Sequence, residues 1–127
     1  MKDKNQLPPD VFDVTQNKAT EAPYSGKYYT FDEKGMYHCV VCGANLFASD
    51  TKYDAGCGWP SFFDKASGAN VKIVKDTTHG MIRDEIVCGE CGSHLGHIFD
   101  DGPNPTGKRY CVNSLSLEFE GEKKKSE

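Results

Sequence analysis

From about residue 35 onward, apolar and polar positions alternate in short runs, and glycine, asparagine, aspartate or proline closes most of them. Candidate strands at 36–40, 44–47, 71–75, 81–87, 94–99, 109–112 and 115–119 follow from this pattern, since alternation of period two marks a half-buried strand. Turn-forming clusters at 49–58, 64–70, 76–80 and 100–107 lie between them. Many short strands with frequent turns predict a mainly β, mostly antiparallel domain. Ahead of that region, Pro8 and Pro9 precede Val11 and Val14. Proline is tolerated in a first helical turn, and apolar residues three apart share one helix face, so 8–17 is predicted as a short helix. Residues 19–26 read as a connector, with Tyr24, Tyr28, Tyr29 and Phe31 packing on the core or its rim. The expected organisation is a loose terminus over 1–8, one domain over 9–120 and a charged, disordered tail over 121–127.

Composition narrows the class. At 127 residues the chain can bury a real core as one domain. A net charge of −4 offers no electrostatic footprint for nucleic acid or an anionic membrane. No apolar run approaches a membrane span, and the opening MKDKNQLPPD has no apolar signal core. The expectation is a soluble, cytoplasmic monomer. Six cysteines could make three disulfides in a secreted protein, but four of them fall in Cys-x-x-Cys pairs. Without an export signal, metal and redox roles are better supported.

Cys39-x-x-Cys42-Gly and Cys88-x-x-Cys91-Gly are two knuckles of one type. Each aims two sulfurs at one centre, and together they supply the four thiolates of a closed, structural zinc site, one per chain. Disulfides would need an oxidising compartment, a redox Cys-x-x-Cys usually comes as one copy beside a helix, and iron–sulfur ligands are spaced differently. Two cysteines remain. Cys57 sits between glycines in an irregular segment, which suggests an accessible thiol. Cys111 has Arg109 two residues before it and Asn113 two residues after, so on a strand all three share a side. A guanidinium there favours the thiolate. The same two residues also suit a small buried hydrophobe and an incidental loop thiol.

His94 and His97 follow the second knuckle at three-residue spacing. Four thiolates already complete a tetrahedron, which leaves both imidazoles available as proton donors near neutral pH. His38 and His79 have no such company and receive no role. Trp59, the only tryptophan, suits either the core or the wall of a small apolar pocket.

These strings in combination resemble the B-type methionine sulfoxide reductases. The matching stretches are 14–16 (VTQ), 20–26 (TEAPYSG), both knuckles, 56–62 (GCGWPSF), 93–97 (SHLGH) and 109–114 (RYCVNS), in family order over nearly the whole chain. The resemblance implies two antiparallel β-sheets with short N-terminal helices, and zinc on Cys39, Cys42, Cys88 and Cys91 away from the active site. It implies Cys111 as nucleophile, Cys57 as resolving cysteine, and an active site lined by His94, His97, Arg109 and Asn113. Trp59 would contact the S-methyl group. The substrate would be methionine-R-sulfoxide, free or in oxidised proteins, with thioredoxin as reductant.

The chemistry of the residues agrees with this. A sulfoxide sulfur is electrophilic, but its oxygen leaves poorly unless protonated. A Cys111 thiolate attacks sulfur while an imidazolium, His97 before His94, supplies the proton. Cys111 is left as a sulfenic acid, which condenses with a second thiol. A competing reading is a zinc-ribbon-like binding module in which the other cysteines and histidines only pack. A zinc hydrolase is weaker, because four thiolates leave no position for water.

Overall fold

Two antiparallel sheets carry the chain, which a computed structural model describes over residues 6–77, 80 and 82–121. His79 and Met81, and with Met81 the start of the strand expected over 81–87, lie outside the described residues, as do most of the two expected loose ends. In chain order the elements are α1 (Pro9–Asn17), β1 (Gly35–Cys39), β2 (Asn45–Ala48), β3 (Lys52–Tyr53), β4 (Ser61–Phe62), β5 (Val71–Asp76), β6 (Arg83–Cys88), β7 (His94–Phe99), β8 (Arg109–Val112) and β9 (Leu117–Gly121). The expected helix is present and is the only α-helix among the described residues. Val11, Val14 and Thr15 form its buried face, and it ends at Lys18, whose left-handed φ of 61° stops the helical repeat.

β1 is the centre of a three-stranded sheet between β2 and β9, and the other sheet runs β3-β4-β8-β7-β6-β5. Two of these strands, β3 and β4, were not foreseen. Each has two residues, too few to show an alternation, and β4 exists because it pairs with β8, Ser61 opposite Cys111 and Phe62 opposite Tyr110. The run expected over 115–119 begins instead as a 3-10 turn, Ser114–Ser116, before β9.

The core lies between the sheets. Tyr37 and Phe47 of the smaller sheet and Phe62 of the larger are wholly buried. Phe47 stacks on Phe62 at 4.5 Å between centroids, and Tyr37 meets the same ring edge-on at 5.2 Å. Burying each such ring stabilises the fold by about 2–3 kcal/mol, which clamps β4 against the smaller sheet. Tyr28 and Phe31 join this cluster as expected, whereas Tyr24 is exposed. Among the described residues no helix is long and apolar enough to cross a membrane.

The register of β7 decides the site. Opposite Ile86 and Val87 of β6 stand Gly96 and His94, so β7 spends one extra residue there. A bulge of this kind restarts the alternation and shifts which residues share a face. Leu95 and Ile98, three apart, consequently both enter the core, and the rings of His94 and His97 lie 5.6 Å apart on the other side.

Candidate active site and metal centre

The four knuckle sulfurs all lie within 4.8 Å of one another. Cys39 and Cys91 are 3.6 Å apart, and so are Cys42 and Cys88. A tetrahedral ion with sulfurs at about 2.3 Å would hold neighbouring sulfurs about 3.8 Å apart, so the set fits a metal closely. The two knuckles are built alike. The Gly43 amide donates to the Cys39 carbonyl (2.9 Å) and the Gly92 amide to that of Cys88 (2.7 Å). Both glycines have φ near 80°, a conformation that costs other residues energy. Cys39 and Cys42 belong to the smaller sheet and its first turn, and in the larger sheet Cys88 ends β6 and Cys91 lies in the β6–β7 turn. A metal here therefore cross-links the sheets.

A separate cavity of about 270 Å³ is lined by Thr20, Cys57, Trp59, Arg83, Gly96, His97, Phe99, Arg109, Cys111 and Asn113. None of the four knuckle cysteines is among them. On the larger sheet Cys111 stands between Ser61 of β4 and His97 of β7, in register with both. Directly opposed residues place their Cβ atoms about 5 Å apart. β7 and β8 approach so closely that a Cβ on Gly96 would lie 1.9 Å from the Cys111 carbonyl oxygen; only glycine fits there. Arg109, Cys111 and Asn113 all reach the one cavity, as their spacing predicts.

The Cys57 and Cys111 sulfurs are 3.7 Å apart, and the Ser61 hydroxyl is 3.2 Å from Cys57. The pair loses one proton readily and the second with difficulty. The hydrogen bond shared with Cys111, helped by Ser61, the Trp59 backbone and the Arg109 charge, lowers the Cys57 thiol to about 5 against the opposing effect of burial. The same bond and burial push Cys111 up. The two sulfurs therefore share one proton and one negative charge. A disulfide bond is about 2.05 Å long, so closing one needs a movement of less than about 2 Å.

The two histidines differ. His97 lines the cavity, and its Nε2 is 2.9 Å from Asp76 Oδ2, which also lies 3.5 Å from an Arg83 nitrogen. His94 is buried behind it and does not line the cavity. Its Nδ1 is 2.7 Å from Glu85 Oε2, while Lys18 reaches Glu85 Oε1 at 3.2 Å. Burial, more than Glu85 offsets, lowers the His94 pKa. Neither carboxylate was foreseen from the sequence. Asp76 opens the turn cluster expected over 76–80 and Glu85 falls within the strand expected over 81–87, so nothing local marks either; only the sheet order brings them under the imidazoles.

Asn113 is buried, its side-chain amide accepting from the Glu21 amide (3.1 Å) and donating to the Leu95 carbonyl (3.0 Å). The Trp59 indole donates to the Glu21 carbonyl at 3.0 Å. Glu21 thus fixes both the tryptophan wall and the asparagine, a role its sequence context did not signal. Arg109 forms a two-pronged bond with Asp101 (2.8 and 3.1 Å) and lies over the Phe99 ring.

Residues 7–121 match the family model described as the SelR domain. The chain is similar to the peptide methionine sulfoxide reductase MsrB of Methanosarcina barkeri, 54% identical over 119 residues, covering 94% of this chain and 84% of that protein. It is 53% identical to that of Thioalkalivibrio sulfidiphilus over 116 residues, covering 91% and 85%. For Acinetobacter baumannii the figures are 50% over 124 residues, covering 98% and 89%.

Proposed function

The chain belongs to the SelR-domain family of B-type methionine sulfoxide reductases, and on that premise we propose that it reduces methionine-R-sulfoxide, free or in oxidised proteins, with Cys111 as nucleophile and Cys57 as resolving thiol. The observation that carries this reading is the pair of sulfurs 3.7 Å apart in a cavity walled by Trp59, with His97 opposite Cys111. The pair shares one negative charge. Transfer of the shared proton to Cys57 places the thiolate on Cys111, beside Arg109, for attack on the sulfoxide sulfur. His97 protonates the departing oxygen; methionine leaves, and Cys111 carries the hydroxyl as a sulfenic acid. The Cys57 thiol then attacks that sulfur, water leaves and the disulfide closes. An external dithiol, thioredoxin in this reading, restores both thiols by exchange.

Zinc is the metal proposed for Cys39, Cys42, Cys88 and Cys91; held by four thiolates it supplies folding energy and no reactive water. Residues 9–120 act as one catalytic domain, in a monomeric, cytoplasmic protein that repairs oxidised methionine under oxidative stress.

Incubation with each separate methionine sulfoxide epimer and dithiothreitol tests this directly: the R epimer should yield methionine, and no product from either epimer refutes it. Cys57→Ser should still release one methionine per enzyme in a single turnover but lose turnover with thioredoxin. A mass spectrum showing a knuckle cysteine bonded to Cys111 in the oxidised wild type would overturn the pairing. His97→Ala should slow single-turnover release by about 10²–10⁴-fold, the usual worth of a general acid. His94→Ala should cost less, because its imidazole does not reach the cavity. Equal, near-wild-type rates in both variants would assign the proton elsewhere.

A further inference from the structure

His97 does not stand alone at the cavity wall. Its Nε2 meets Asp76, the last residue of the edge strand β5, and Asp76 in turn meets Arg83, the first residue of β6 and itself a cavity-lining residue. The register Asp76↔Arg83 sets these two directly opposite each other, and Asp76 is almost wholly buried. A carboxylate is retained at such a position when it is paired and hydrogen-bonded.

We infer that Asp76 is a positioning residue for the sulfoxide reaction: it holds His97 with the proton on Nε2, so that Nδ1 is the nitrogen through which a proton passes to the substrate oxygen. The inference rests on the proposed reductase reading. An ionised carboxylate only accepts hydrogen bonds, so the imidazole must donate from Nε2. The ring's other nitrogen is then the one that gains and gives the catalytic proton. Asp76 also stabilises the imidazolium, whereas Arg83 opposes it, both by its own charge and by competing for the same carboxylate oxygen. Among the described residues, the other charged or titratable groups around His97 are Glu85, opposite it on β6, His94 beside it on β7, Cys111 opposite it on β8, and Cys57 and Arg109 across the cavity. All of these stay in place in the two variants below.

The variants have opposite expected signs, which a merely structural role would not produce. Asp76→Asn removes the stabilising charge, so the His97 titration midpoint falls, and methionine release, which needs the imidazolium, declines at lower pH than in the wild type. Arg83→Met keeps the aliphatic stem and removes the opposing charge, so the midpoint rises. The experiment is a nitrogen-15 NMR titration of His97 in the substrate-free, metal-loaded protein, alongside single-turnover release against pH. Asp76→Asn is also expected to slow release at neutral pH by about 10- to 100-fold, less than loss of the imidazole itself. Midpoints unmoved in both variants, or moved in the same direction, would overturn the inference; so would a wild-type His97 whose Nδ1 carries the proton in the neutral form. If Asp76→Asn does not fold, the Arg83→Met midpoint and the wild-type tautomer decide alone. Failure of the wild type to release methionine would refute the reductase reading, while the titrations still report on the Asp76–His97 pair.

Discussion

Cys111→Ser is expected to abolish methionine release in a single turnover as well as in the steady state. A serine hydroxyl is a far weaker acid than a thiol and stays protonated at this position, and loss of a covalent nucleophile costs on the order of 10⁴–10⁶-fold. That exceeds the effect of removing His97, which leaves the nucleophile intact. The contrast with Cys57→Ser is the informative part, because the two sulfurs share one negative charge. Rapid-quench measurement of methionine formed per enzyme separates the two roles. Release retained in Cys111→Ser and lost in Cys57→Ser would exchange them. A pH limb accompanies the result. The lowered thiol is ionised above about 5 and protonated below it, so wild-type release should fall away as pH drops through that value. The shared thiolate is lost there, whichever sulfur carries it.

Removal of the proposed zinc should be nearly as damaging, to stability rather than to chemistry. A four-thiolate zinc site is worth about 10 kcal/mol or more of folding free energy, against a total stability of about 5–15 kcal/mol for a domain. Cys91→Ser, or exhaustive chelation, is therefore expected to lower the melting temperature steeply and to lower zinc content with it. The site joins Cys39 and Cys42 of one sheet to Cys88 and Cys91 of the other, so its loss unties the layers that bury Tyr37, Phe47 and Phe62. None of the four lines the catalytic cavity, so methionine released per folded molecule should change little. Calorimetry and elemental analysis on the same samples provide the check. A metal-free protein with the wild-type melting temperature would refute a structural metal at this site.

Much of this was legible in the chain itself. The duplicated knuckles mark a set of four sulfurs that could hold a metal, because a Cys-x-x-Cys turn closes on itself and two copies aim their sulfurs wherever the sheets bring them together. The alternation over 71–75, 94–99 and 109–112 specifies strands, and the two-residue spacing of Arg109, Cys111 and Asn113 puts them on one side, because the strand period is local. The sheet order was not legible, nor was the pairing of Ser61 and His97 with Cys111, because register depends on partners far away in sequence. His94 and His97 illustrate the limit. Their spacing of three would place them on opposite faces of a regular strand, and the bulge against β6 sets them on one side. Asp76, Arg83 and Glu85 carried no sequence signal, and Glu21 only that of the 20–26 stretch it belongs to. A charged residue reads as solvated until tertiary packing buries it against a partner, and only the fold determines which partner that is.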